Sequence, residues 1–125
     1  MAVTKFLTMT SLDLAFQALA DPIRRSIVER LMRGPRTVSE LAEAFGMSLA
    51  AIGHHLRMLE NGGLIRSEKL GRIRTCRIEP KGLLAVEKWV SARRTEWARW
   101  RKRLDKLPDA AEPVSTSPKR KRTSN

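Results

Sequence analysis

The sequence has little cysteine, little imidazole and little negative charge, and each shortage closes off a class of function. A single cysteine, Cys76, cannot make an internal disulfide, so a reducing cytoplasm is the expected compartment. Apolar runs are only a few residues long and are broken throughout by Arg, Lys, Asp and Glu. None approaches the ~18 residues of a membrane span, and a soluble protein with no membrane partner is expected. Met1 to Thr10 carries one Lys and no apolar core of signal-peptide length, so export is not expected. No Ser/His/Asp set, paired carboxylates or Gly-rich phosphate loop can be assembled, so neither an enzyme nor a bound cofactor is expected. Acidic residues number 13 against 25 Lys and Arg, a formal charge of +12. The charge implies a polyanionic partner. At 125 residues there is room for one compact domain, which excludes a large enzyme or a multidomain receptor.

The stretch 108–125, PDAAEPVSTSPKRKRTSN, holds three prolines and no periodic apolar residue, and is expected to be a disordered basic tail. Its Lys119–Arg122 run reads equally as a nonspecific DNA-grasping arm or as solvated charge. Residues 1–10 are expected to be a flexible N-terminus, leaving 11–107 as one folded unit.

Within that unit Ser11 caps a short helix carrying Leu12, Ala15, Phe16 and Leu19 at helical spacing. Asp21-Pro22 starts a second, with Ile23, Ile27, Val28 and Leu31 inward, and Gly34-Pro35 ends it. Thr37 and Glu40 form a capping-box pair for a third, which Gly46 closes. Ser48 caps a fourth, 48–61, whose Leu49, Ile52, Leu56 and Leu59 are expected on one buried face. After Gly62-Gly63 the period becomes that of strands, 64–70 and 73–78, joined across Gly71-Arg72. Pro80 opens a long last helix on which Val86, Trp89, Val90, Trp97, Trp100, Leu104 and Leu107 fall within about 100° of arc.

Two short helices about a Gly turn with a β-hairpin behind them make a mainly α fold, a winged helix-turn-helix. A helix about 10–12 Å across fits the major groove of B-DNA, so helix 48–61 is the expected reader and hairpin 64–78 the wing. Ile52, Leu56 and Leu59 point inward, which turns Ala50, His54 and Arg57 toward the groove. Ser48, Ala51 and Gly53 are small and let the helix start approach phosphates or base edges. Double-stranded DNA is thus the expected partner. Helix position favours His54 for base reading and Arg57 for phosphate. Arg72 and Arg74 flank the hairpin tip, where they either reach phosphates or a minor groove, or guard a strand edge. His55 is expected to be partly buried against backbone, and Cys76 to be a small inward hydrophobe sharing a face with Ile78. The Trp seam of the last helix is expected to be a dimer core, with Arg93 in its middle placed to meet a Glu of the partner subunit. A hydrophobic ligand pocket at that seam is the competing reading.

The runs DPIRRSIVERL, TVSELAEAFGMSLAAIGHHLRMLENGGLIRSEKLGR and RTCRIEP, in that order, resemble the ArsR/SmtB family of bacterial winged-helix repressors. That family shares S-x-x-x-(I/V)-S-x-H-L-x-x-L-x-x-x-G-L-(I/V), and the resemblance extends from Leu12 to Leu107. It implies a homodimeric repressor pairing through first and last helices, here Leu12, Phe16, Trp89, Arg93, Trp97, Trp100 and Leu104, and a cytoplasmic, nucleoid-associated protein. It also implies Ser48, His54 and Arg57 among the contacts to a palindromic operator, with Arg72 and Arg74 on the wing. Thr37 and Ser39 stand where metal-sensing members carry cysteines, and no His follows His55, so no metal is expected. Gly53 replaces the family's usual Ser. An unknown small-molecule effector is the further partner left open, and an architectural or RNA-binding protein without an operator is the alternative function.

Overall fold

The computed structural model describes residues 9–108, in two compact units that divide between Val90 and Ser91. The first contains α1 (Ser11–Leu19), α2 (Pro22–Leu31), β1 (Arg36–Thr37), α3 (Val38–Phe45), α4 (Leu49–Asn61), β2 (Ile65–Leu70) and β3 (Ile73–Ile78). Helix α5 (Pro80–Asp105) begins in the first unit and supplies the second.

Local chemistry fixes the helix starts. Thr10, one residue before the expected Ser11, caps α1: its hydroxyl accepts from the Asp13 N–H, and its own N–H donates to the Asp13 carboxylate. A reciprocal box satisfies two otherwise orphaned donors, which Ser11 cannot do without such a partner. Asp21 caps α2 through the Arg24 N–H, and that bond holds its carboxyl below the ordinary range. Thr37 and Glu40 close the expected box on α3, and Gly46 ends it in the left-handed region at φ 63°.

The hairpin forms as expected, with Leu70 opposite Ile73 and Gly71 at φ 66° in the turn. The sheet has a third strand, in the order β1-β3-β2, because Arg36 and Thr37 pair antiparallel with Cys76 and Thr75. Two residues give no alternation to read in a sequence. Ile27, Leu41, Ile52, Leu59, Leu64 and Cys76 are fully buried in one core beneath the helix-turn-helix.

Burial pushes the Cys76 thiol from the usual 9.0 up to about 11, the Glu60 charge adding to this and Arg74 opposing it. A raised value favours the neutral folded form. Stability from keeping the thiol neutral is therefore complete below pH 9 and lost as pH rises through about 11. Near pH 8 a disulfide reagent should modify Cys76 only at the rate at which the fold opens. Fast stoichiometric labelling of the native protein would show that the thiol is not buried.

In the second unit α5 continues as a helix whose residues are exposed save Leu104, which is half-buried. Leu107, expected on the helical seam, lies beyond the helix end. Among the described residues no helix is long and apolar enough to cross a membrane. The expected N-terminus and basic tail lie outside the described residues apart from Met9, Thr10 and Pro108.

Candidate nucleic-acid interface

Helix α4 is held from one side. Ile52, Leu56 and Leu59 are buried, and Ala50, Ala51, His54 and Arg57 are exposed, with Gly53 half-buried on the flank. Ser48 is the N-cap, and its hydroxyl accepts from the Ala51 N–H at 3.1 Å. The cap leaves Ala50 and Ala51 as the small exposed residues of the first turn of α4, with His54 one turn further on.

Leu49 departs from the expectation. It is 60% exposed. At 100° per residue it stands about 50° from the centre of the Ile52, Leu56 and Leu59 arc, at the first position of the helix and turned toward the wing. Gly53 sits on the same flank, where an added Cβ would meet only the Arg57 guanidinium at 3.7 Å, an ordinary contact. Gly53→Ala is therefore expected to stabilise the fold by about 0.5–1 kcal/mol through helix propensity. The measure is the urea midpoint, and a lowered midpoint would mean that the site is tighter than its geometry.

The wing cations differ in what they hold. Arg72 is exposed at the turn. Arg74 donates to the Ser67 hydroxyl at 3.0 Å, and Ser67 in turn donates to a Glu60 carboxylate oxygen at 2.6 Å. A groove of about 390 Å³ between α4 and the sheet contains this relay together with Gly53 and Arg57. The relay ties the wing to α4, a link invisible to sequence because it joins residues from three elements. His55, expected against backbone, instead meets Arg24: Nη1 and Nδ1 are 3.3 Å apart. A guanidinium only donates, so Nδ1 accepts. Arg24 also donates to the Ala18 and Gln17 carbonyls, locking α1, α2 and α4 together.

Of the residues expected at a dimer seam, Leu12 is half-buried, and Phe16 meets Trp89 edge-to-face with ring centroids 5.8 Å apart. In the second unit Trp97 and Trp100 stack at 5.5 Å, at 21° between planes. Arg93 pairs through Nε with Glu96 of its own helix at 3.2 Å, an exposed contact one turn apart. Among the described residues no three His, Cys, Asp or Glu gather as a metal site.

Residues 21–67, from the α2 cap to the middle of β2, match the family described as bacterial regulatory protein, arsR family. The chain is 43% identical over 79 residues to the HTH-type transcriptional regulator Rv2034 of Mycobacterium tuberculosis, spanning 63% of this chain and 74% of the relative. The chain belongs to the ArsR family. A solved ArsR family transcriptional regulator is 49% identical, with a TM-score of 0.66 over 70% of this chain and 91% of that one. The homodimeric winged helix-turn-helix DNA-binding domain of a possible ArsR-family regulator from Mycobacterium bovis is 29% identical, with a TM-score of 0.56 over 69% and 82% of the two chains. This ArsR-family member is thus a transcriptional regulator with a winged helix-turn-helix DNA-binding domain, and not an enzyme.

Proposed function

We propose that the chain is a homodimeric repressor of the cytoplasm, associated with the nucleoid, that reads a palindromic operator with α4 in the major groove and the β2–β3 wing on the flanking backbone. The observation that carries this is the two-sidedness of α4: a fully packed inner face and an outer face of Ala50, His54 and Arg57 beside the wing cations. Two protomers related by a two-fold axis would present two such helices, which suits inverted half-sites. The homodimeric Mycobacterium bovis relative supports the pairing. Ser48, Ala51 and Gly53 admit the backbone closely, Arg57 and Arg72 neutralise phosphates, and Arg74 works from its Ser67–Glu60 anchor. The dimer forms through the exposed aromatic patches, Phe16 with Trp89 near Leu12 in one unit and Trp97 with Trp100 beside Leu104 in the other. Arg93, in the middle of the last helix's seam, meets a Glu of the partner subunit. No metal is required, because Thr37 and Ser39 offer hydroxyls where a sensing site needs thiolates.

The roles of helix and wing separate in one experiment, binding of a randomised half-site library at several salt concentrations. His54→Ala is expected to relax base preference at one symmetric position, costing about 1–3 kcal/mol there. Arg72→Ala is expected to keep the preferred sequence and to flatten the slope of log K against log salt by about 0.9 for each phosphate no longer neutralised, about 1.8 over two subunits. If the Arg72 variant changes base preference and the His54 variant does not, the assignment is reversed. An architectural or RNA-binding protein would show no preferred duplex at all.

A further inference from the structure

A second groove, about 550 Å³, opens between the start of α4 and the wing, lined by Thr37, Val38, Leu49, Lys69, Arg72 and Ile73 among others. Its composition is uneven. Lys69, Arg72 and Arg74 put three cations on its wall, opposite the hydroxyls of Thr37 and Ser39. Between them stand aliphatic side chains that the core does not use: Leu49 is 60% exposed and Ile73 57%. A lone exposed leucine needs no explanation, but one set in a concave, cation-walled gap beside a DNA-reading helix has a defined chemical neighbour. The cations select a polyanion.

Thymine is the base that presents an apolar group in the major groove, its 5-methyl. Residues at the start of a recognition helix reach base edges most directly, and Leu49 is the first residue of α4. The neighbouring Ala50, Ala51 and Gly53 add no bulk to hold the helix away from the groove floor. We propose that Leu49 is a specificity-determining residue that packs on the 5-methyl of one thymine in each half-site, while Lys69 and Arg72 hold phosphates of the strand lying in the groove. A leucine side chain makes no hydrogen bond, so the methyl is the feature by which it distinguishes this base. The inference rests on α4 entering the major groove.

The test uses the full chain and the duplex it selects from a randomised library, with each thymine replaced in turn by deoxyuridine, which lacks only the methyl. At one position per half-site the substitution should weaken binding about fourfold, and about 15-fold when made in both, the burial of one methyl converted to an equilibrium ratio. Leu49→Ala should bind the thymine and deoxyuridine duplexes alike, with an unchanged salt slope, and Leu49→Met should keep the discrimination. Because Leu49 is exposed, the urea midpoint of Leu49→Ala should match the parent. Undiminished thymine preference in Leu49→Ala, or indifference of the parent at every thymine of a selected sequence, overturns the role of Leu49 and leaves the reading of α4 standing. Failure to select any sequence brings down both.

Discussion

Changing Trp97 and Trp100 together to glutamate is expected to convert the protein to monomers and to weaken binding to a two-half-site duplex by a hundredfold or more. The stacked rings are 54% and 45% exposed. A Trp side chain offers about 150–250 Å² to bury, so each ring leaves roughly 100 Å² in water. Covering both rings on both protomers removes about 400 Å², a gross gain of about 10 kcal/mol at ~25 cal/mol/Å² before the cost of association. Glutamate forfeits that area and adds two charges per chain to be desolvated. Each protomer would then hold one half-site alone and lose the effective concentration that linkage provides, a factor of about 10²–10⁴. Sedimentation equilibrium gives the mass and titration of a labelled duplex the affinity. An unchanged dimer mass would place the dimer seam elsewhere.

Gly82→Ala is expected to be the most damaging single methyl in the first unit, costing about 3 kcal/mol. At Gly82 the start of α5 lies against the end of α4, and its N–H donates to the Gly63 carbonyl at 2.7 Å. A Cβ there would stand 2.5 Å from the Gly62 oxygen and 2.7 Å from that of Gly63. Both are backbone atoms and cannot swing aside as a side chain would. Relief requires moving α5 off the turn, with loss of the hydrogen bond and of packing, at the upper end of the usual 1–3 kcal/mol for overpacking. The urea midpoint should fall while the slope stays constant. An unaltered midpoint would show that the two helix ends do not meet so closely. The contrast with Gly53→Ala, expected to stabilise, is a contrast of surroundings at fixed chemistry.

Helices and hairpin were legible because their signals are local. Caps at Asp21, Thr37 and Ser48, the Gly46 stop and the Gly71-Arg72 turn each lie within a few residues of the element they define. Periodicity likewise marked Ile52, Leu56 and Leu59 as inward. What sequence could not show was settled by partners far along the chain. β1 exists because Cys76 and Thr75 lie beside it, Arg74 is oriented by Ser67 and Glu60, and His55 meets a guanidinium from α2. Leu49 was misread for a geometric reason: one arc position at a helix start counts as buried only if something packs above it, and there the neighbour is an open groove. The hairpin turn already sets Lys69 opposite Arg74, but that Lys69 lines a groove beside the start of α4 depends on packing between elements far apart in the chain.

The central claim, a dimer whose two α4 helices read inverted half-sites, is tested most directly by selecting duplexes from a fully randomised library with the intact chain and measuring the stoichiometry on the winner. The expected winner is a palindrome with half-site centres about one helical turn apart, 10–10.5 base pairs, or a multiple of that spacing. Two protomers should bind each duplex, with a preference over bulk DNA of about 10³ or more. Enrichment of no sequence, or of a single unrepeated site bound by one protomer, would contradict it.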